Sequence, residues 1–308
     1  MELIPKDNII EFNTDTLEYL RKQYDLDKPG RIQEAINLLN HWIQKQPHFM
    51  KKDFSREYLE RTIILSKGSV ERAKTKLDKI CTFRTLCPEF FEVHDVKSYK
   101  ILNDLYGTYL PKLTSDHYRV YILKNKAKFF ETGFHDFYRY FFMQCEYIQA
   151  HDYCNGVVIV LDYQEANIIE TLKFFNIADL RQAVEITKNG YGMRINGIHF
   201  LSGSKAIDAV VNFCKPVFSE KVVGRVVTHK SFDTLYEYIP KDILPKEYGG
   251  KEKPLFEIHR KFQDVLSSKE FTAYMNEMNK ACTNEELRPN NDYSHLGVQG
   301  SFRTLSVD

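Results

Sequence analysis

One short run of apolar residues places the strongest limit on how this chain can fold. Residues 156–162 read GVVIVLD. Successive side chains of a strand point to opposite faces of a sheet, so this strand is apolar on both faces. Such a strand must be covered on both sides, which is typical of a parallel sheet with helices packed on its two faces.

The residues around this strand repeat the same alternation of short β-branched runs and helical periodicity. The predicted strands are 119–123, 156–162, 193–201 and 225–229. The predicted helices between them are 134–150, 177–189 and 205–215. This alternation predicts an α/β fold with a mostly parallel sheet.

The flanking segments differ from this central part. Up to about Thr114 the periodic segments are all helical, and the predicted helices there are 14–24, 32–42, 56–67 and 70–86. Beyond residue 251 we expect one further helix over 256–282 and a polar tail. The predicted division is an N-terminal helical domain over 1–92, an α/β domain over 93–252, and a C-terminal helix and tail over 253–308.

Charge and cysteine usage exclude several classes of protein. The 43 Lys and Arg balance 42 Asp and Glu, which argues against a general nucleic-acid binder. The six cysteines form no CxxC pair, as expected for free thiols in a reducing compartment. The longest apolar run, 157–161, is far shorter than the roughly 20 residues that cross a bilayer. We therefore expect a cytoplasmic protein without a transmembrane segment.

The predicted helix over 205–215 has very little polar surface. Its polar residues are Lys205, Asp208, Asn212 and Lys215, which form one narrow stripe at helical pitch. Three interpretations are open: a fully buried core helix, a dimer interface, or a cover over an apolar cavity that also meets membranes. Pro216 should end or kink the helix, because it lacks an N–H and crowds the carbonyl of Asn212.

Motifs that would indicate an enzyme are missing from the sequence. The segment LSGSK lacks the flanking glycines of a GxSxG nucleophile turn, and NGYGMRING lacks the GxGxxG spacing of a dinucleotide site. The ten histidines show no metal-binding spacing, and His199 is interpreted as a hydrogen-bonded structural residue. We expect no catalytic residue, no metal and no cofactor.

A series of spaced motifs resembles the CRAL-TRIO lipid-binding family, in particular its retinaldehyde-binding and tocopherol-transfer branch. The motifs are GIHF at 197–200, KPVF at 215–218, Lys221 with Arg225, and LPKEYGG at 244–250. The resemblance covers about residues 30–250, and the terminal GSFRTLSVD is similar to endings of the same branch. It departs from the family pattern at 60–68, where fewer basic residues occur, and at 202–204, where SGS replaces a frequent NxP.

The resemblance implies a mixed, mostly parallel five-stranded sheet that floors an apolar lipid cavity under a mobile lid helix. It implies a carrier of one hydrophobic lipid, such as a retinoid, tocopherol or carotenoid. Phosphatidylinositol or phospholipid transfer, or a lipid-sensing interaction protein, is the alternative. The residues expected to line the cavity are Val157, Ile159, Ile198, Phe200, Ile207, Val210, Val211 and Cys214.

The resemblance also implies transient contact with anionic membranes during cargo exchange, and therefore a location peripheral to membranes. Arg194, Lys221 and Arg225 match the basic positions that contact phosphoinositide headgroups in the family. A further position that is basic in the family is Asn196 here. A solvated basic edge without a specific headgroup is the other interpretation of these residues.

Overall fold

The computed structural model describes residues 4, 7–131 and 133–289. Its first four helices confirm the predicted helical segment, and they are α1 (Thr16–Gln23), α2 (Arg31–Gln44), α3 (Arg56–Leu65) and α4 (Val70–Leu86). Side chains cap two of them: Ser55 accepts a hydrogen bond from the Tyr58 N–H, and Ser69 accepts one from the Arg72 N–H. Gly30, in the left-handed conformation, precedes α2.

The central sheet has five strands, as the family resemblance implies. They are β1 (Leu105–Leu113), β2 (Arg119–Asn125), β3 (Val157–Asp162), β4 (Ile195–Leu201) and β5 (Val226–His229). The spatial order is β1-β2-β3-β4-β5. Strand β1 is antiparallel to β2, and all other neighbouring pairs are parallel. The prediction of a mixed, mostly parallel sheet is confirmed.

Strand β1 corrects the prediction that the chain is helical up to about Thr114. Its sequence, LYGTYLPKL, contains Gly107 and Pro111, which weaken a strand pattern. The structure accommodates Pro111 because β1 is an edge strand and its register with β2 shifts between Tyr109 and Leu113. Pairing with β2, rather than local propensity, therefore decides the conformation of this segment.

The remaining α-helices lie between the strands in sequence or follow the last strand. They are α5 (His135–His151), α6 (Ile168–Phe174), α7 (Ile177–Glu185), α8 (Ile207–Cys214), α9 (Glu220–Val223), α10 (Phe232–Leu235), α11 (Leu255–Leu266) and α12 (Lys269–Met278). The single helix predicted over 256–282 is wrong, since Ser268 caps a new helix by accepting a hydrogen bond from the Phe271 N–H. The terminal GSFRTLSVD lies outside the described residues.

Both faces of β3 are covered, as its sequence predicts. Val158 and Val160 belong to an apolar cluster that includes Leu235 and Leu244 from the segment after β5. Ile159 and Leu161 instead pack toward a second cluster, which contains residues of α8. In the described part of the chain, no helix combines the length and the apolar character needed to cross a membrane.

A buried ion pair joins the sheet to α5 and the N-terminal segment. The Arg119 Nε and Nη2 atoms donate to the two carboxylate oxygens of Asp152 at 2.8 and 2.7 Å, and both side chains are fully buried. The Arg119 guanidinium also donates to the carbonyl oxygens of Glu11 at 3.2 Å and Leu110 at 3.3 Å. Backbone acceptors thus satisfy the donors that the carboxylate leaves over.

Candidate functional site

Helix α8 buries one face and exposes the other. Ile207, Val210, Val211 and Cys214 recur at helical spacing and are all buried. The apolar residues on the outer face are small alanines, at 206 and 209, which are exposed. The unusual apolar character of this helix is therefore concentrated on a single buried stripe. The α-helix ends at Cys214 and a 3₁₀ turn over Lys215–Val217 follows, which confirms the expected effect of Pro216.

The buried stripe of α8 packs against the sheet and α6 in an apolar group that we call the lid cluster. Its buried members are Tyr163, Ile168, Ile198, Phe200, Ile207, Val210, Val211 and Cys214. Ile159 and Leu161 are partly buried against it, as is Phe213, whose ring stacks on that of Phe175 at 5.3 Å between centroids. The structure thus brings together every predicted lining residue except Val157.

Val157 packs elsewhere, although it lies on the same face of β3 as Ile159. It is buried in the larger core shared by the helical segment, α5 and the C-terminal helices. It is the first residue of β3 and lies beside Arg119 in the strand register. Ile159 contacts both groups, so it marks the boundary between that core and the lid cluster.

The lid cluster is closed in this structure. Four cavities of 1030, 550, 500 and 340 Å³ in the described part of the chain are lined by other residues. Val210 and Phe200 are fully buried by the cluster itself. A lipid would therefore occupy this place only if α8 moved away from the sheet.

A second feature lies beside the lid cluster, a cavity of about 500 Å³ that we call the basic pocket. Six cationic side chains line it: Lys67, Lys76, Lys188, Arg194, Lys221 and Arg225. Its lining contains no Asp or Glu, and none of the six cations has a carboxylate within 4 Å among the residues described. All three predicted headgroup residues are in this pocket.

Neutral groups hold the two arginines of the basic pocket in place. Arg194 donates to the Tyr24 hydroxyl and to the Asn155 Oδ1 at 2.8 Å, and its guanidinium lies 4.8 Å from the centre of the Tyr24 ring. Arg225 donates to the Ile195 carbonyl oxygen at 3.0 Å. Because these partners carry no charge, the positive charge of the arginines remains available to an anion.

The pKa values of two lysines record how concentrated this charge is. Burial, together with Lys221 and Arg194, lowers the pKa of Lys67. Burial and Arg194 lower the pKa of Lys76 to about 8. A neighbouring cation disfavours the charged form of a lysine, so both shifts have the sign expected for a group of uncompensated cations.

Two family models match consecutive parts of this chain. Residues 103–250 match the family model described as the CRAL/TRIO domain. This segment, just under half of the chain, belongs to the CRAL/TRIO family. Residues 28–101, in the helical segment before the CRAL/TRIO domain, match a second model, described as a Pinta-like, UBA domain.

Curated relatives of this chain include proteins named alpha-tocopherol transfer protein-like and clavesin. Alpha-tocopherol transfer protein-like from Mus musculus is 26% identical over 155 residues, 49% of this chain and 45% of that protein. Its Homo sapiens counterpart is 30% identical over 97 residues, 31% of this chain and 28% of that protein. Clavesin-2 from Homo sapiens is 30% identical over 101 residues, 32% and 31% of the two chains. The chain matches less than half of the length of each relative.

A solved structure was also found, the crystal structure of Sfh5. It aligns with this chain at a TM-score of 0.48 and 15% sequence identity, over 89% of this chain and 98% of that chain.

The lid cluster and the basic pocket share a boundary. Ile195, at the start of β4, and Val222, on α9, line the basic pocket and also pack on the lid cluster. Lys221 is adjacent to Val222 on α9, only seven residues after the end of α8. A displacement of α8 therefore acts on an element that carries a pocket cation.

The sequence predicts only half of the cations that line the basic pocket. Lys67 lies in the segment 60–68, where the family pattern is incomplete, and neither Lys76 nor Lys188 is predicted as a pocket residue. Both lie in amphipathic helical segments where a lysine ordinarily faces solvent. A helical pattern gives no sign that α4 and the turn after α7 converge on β4, so no signal in the sequence could have found them.

Histidine 199 lies on the face of the sheet opposite the lid cluster. Its Nδ1 atom is 2.9 Å from the Nε2 atom of His229, and the ring is buried. This hydrogen bond agrees with the structural role expected from the sequence. Among the residues described here, no three His, Cys, Asp or Glu side chains are grouped so as to hold a metal ion.

Proposed function

We propose that the protein is a carrier that binds one hydrophobic lipid, such as a retinoid, tocopherol or carotenoid, and transfers it between membranes. One observation carries this proposal. The apolar stripe of α8 lies on the sheet directly beside a pocket whose lining contains six cations and no carboxylate. The relatives named alpha-tocopherol transfer protein-like support the same class of cargo.

The lid cluster supplies the place for an apolar cargo. A lipid that enters between α8 and the sheet replaces side-chain contacts by equally apolar ones, so no polar group has to be desolvated. Burying some 300 Å² of apolar lipid surface would contribute roughly 7 kcal/mol before ordering costs. Water alone would release such a cargo slowly, whereas a membrane offers it an equally apolar environment.

The buried stripe of α8 also needs a partner whenever the helix opens. Ile207, Val210 and Val211 would then be exposed together, and a bilayer is the apolar phase available to a carrier at the moment of exchange. We propose that this stripe contacts the cargo when α8 lies over a bound lipid, and the membrane when the helix opens.

The basic pocket would bring the protein to an anionic membrane surface. Each Lys or Arg near such a surface contributes about 1 kcal/mol. Since Lys221 follows α8 so closely, an anionic headgroup bound to Lys221 and Arg225 would favour a position of α9 that differs from the closed one. We propose that a phosphoinositide or another anionic lipid assists cargo exchange in this way, with the protein peripheral to cytoplasmic membranes.

The same pocket favours one second candidate, transfer of phosphatidylinositol or another phospholipid. In that case the acyl chains would lie in the lid cluster and the phosphate would lie in the basic pocket. The lipid would pass Ile195 and Val222, where the lid cluster and the basic pocket meet. A lipid-sensing protein would bind cargo as well but would transfer none of it between vesicles.

The test is to identify the cargo. Protein purified from its native tissue or from cells supplied with retinoid, tocopherol and carotenoid would be extracted with organic solvent, and the extract analysed by mass and absorption spectra. We expect one isoprenoid-type lipid in a one-to-one ratio with protein. Recovery of phospholipid would favour the second candidate, and repeated failure to load any lipid would contradict both.

A further inference from the structure

Lys76, on α4, is held at the basic pocket by two backbone carbonyl groups. Its Nζ atom donates to the Leu65 oxygen at 2.9 Å and to the Gly192 oxygen at 3.2 Å. An ammonium group has three donors and no acceptor, so one N–H remains after these two bonds. The side chain lines the pocket, and an anion bound there could accept this third hydrogen bond.

The loop before β4 is shaped around this lysine. Gly192 has a φ of +70°, and a Cβ atom at this position would lie 2.5 Å from the Lys76 side chain. Glycine adopts this backbone conformation without strain and leaves open the space that the Lys76 side chain occupies. This glycine and the two carbonyl acceptors thus favour the observed position of the Lys76 ammonium.

The groups around Lys76 disfavour its charge. Burial is the largest cause, and Arg194, Arg72 and Lys67 add to it, so that the pKa falls to about 8. Lys188, Lys221 and Arg225 also line the pocket, and the nearby Tyr24 hydroxyl accepts a hydrogen bond from Arg194. No carboxylate among the lining residues offsets these cations. A bound anion would supply the missing negative charge.

We propose that Lys76 is a proton-linked anion-binding residue, which must be protonated for a polyphosphorylated headgroup to bind fully in the basic pocket. This inference rests on the proposed function, in which the pocket takes an anionic headgroup. Binding and protonation would then favour each other: the anion raises the affinity of Lys76 for a proton, and the proton raises the affinity for the anion.

The expected size follows from the fraction of protein that is competent to bind. With a pKa of about 8, Lys76 is about nine-tenths protonated at pH 7 and about one-tenth protonated at pH 9. If only the protonated form binds, the apparent Kd rises about tenfold over this interval.

The test uses inositol hexasulfate, a soluble probe whose sulfate groups remain ionised across this pH range. Its affinity for the full chain would be measured calorimetrically at pH 7, 8 and 9. We expect about tenfold weaker binding of the natural chain at pH 9. The variant Lys76→Arg keeps a charge at all three values and should lose the pH dependence, and Lys76→Met should bind weakly at every pH. Lys67→Arg is the matched control and should retain the pH dependence.

Several outcomes would overturn the inference. The first is the same pH dependence in Lys76→Arg as in the natural chain, and the second is no binding of the probe at pH 7. If either variant fails to fold, the titration of Lys76 in the natural chain can be followed by NMR with labelled lysine. Inositol hexasulfate should raise its pKa, and an unchanged pKa would contradict the linkage.

A second pair of measurements separates this inference from the proposed function. Lys221→Glu with Arg225→Glu should abolish probe binding at pH 7. If this double variant loses binding while Lys76→Arg keeps the natural pH dependence, the pocket binds anions and only the role of Lys76 is wrong. Vesicles with and without a phosphoinositide distinguish a lipid headgroup from a free phosphate compound as the natural anion.

Discussion

Two hydrogen-bonded histidines, His199 within β4 and His229 at the end of β5, should make the stability of this protein depend on pH. His199 Nδ1 lies 2.9 Å from His229 Nε2, and His229 Nδ1 lies 2.8 Å from the Thr234 hydroxyl oxygen. The hydroxyl itself donates to the Ser231 carbonyl oxygen at 3.3 Å. Both rings can be neutral in this chain of donors, whereas two charged rings would repel each other at this distance.

The size of the effect follows from the pKa of His199. Burial, and to a smaller extent His229, lower this pKa from 6.5 to about 4. The folded protein therefore binds fewer protons than the unfolded chain, so the free energy of unfolding falls as the pH falls from about 6.5 toward 4. Between pH 7 and pH 5 the loss from His199 is about 2 kcal/mol.

Urea unfolding at pH 7 and pH 5, followed by circular dichroism, measures this loss. The variant His199→Asn is the control, because its side-chain amide can still donate to His229 and does not titrate. His117, His151 and His259 have lowered pKa values in both proteins, so their contribution cancels in the comparison. We expect the natural chain to lose about 2 kcal/mol more than the variant. Equal losses in the two proteins would refute the reasoning.

Three further predictions concern the lid cluster, the basic pocket and the buried ion pair. Val210→Asp should abolish lipid retention with little change in the circular dichroism spectrum, because a lone carboxylate facing an apolar cluster is costly. The double variant Lys221→Glu with Arg225→Glu should co-sediment less with anionic vesicles, but its affinity for the lipid cargo should be unchanged. Asp152→Asn should lower the free energy of unfolding in urea by about 3–5 kcal/mol, since it leaves a buried guanidinium without its counter-charge.

Each of these predictions has a matched control on the surface. The control for Val210→Asp is Ala209→Asp, on the exposed side of α8, which should retain lipid. If Val210→Asp unfolds the protein instead, α8 is an ordinary core helix. Lys230→Glu with Lys246→Glu makes the same change of charge outside the pocket, and equal losses of vesicle binding would remove the headgroup assignment. Asp208→Asn, at an exposed carboxylate, should change stability by less than about 0.5 kcal/mol.

The sequence alone determined the fold class and the order of most elements. The run at 157–161 is apolar on both faces whatever surrounds it, and it therefore required cover on both sides of a sheet. The buried stripe of α8 and its end before Pro216 also follow from local spacing and covalent geometry. These features depend on the chain's own period and need no knowledge of distant contacts.

Only the tertiary structure decided which side chains meet. Strand β1 exists because β2 pairs with it, although Gly107 and Pro111 weaken its own pattern. Val157 packs in the larger core and not in the lid cluster, and Lys76 joins the basic pocket because α4 packs beside the loop that contains Gly192. Periodicity reports the direction of a side chain relative to its own helix or strand, whereas a site is formed by the relative placement of elements far apart in sequence.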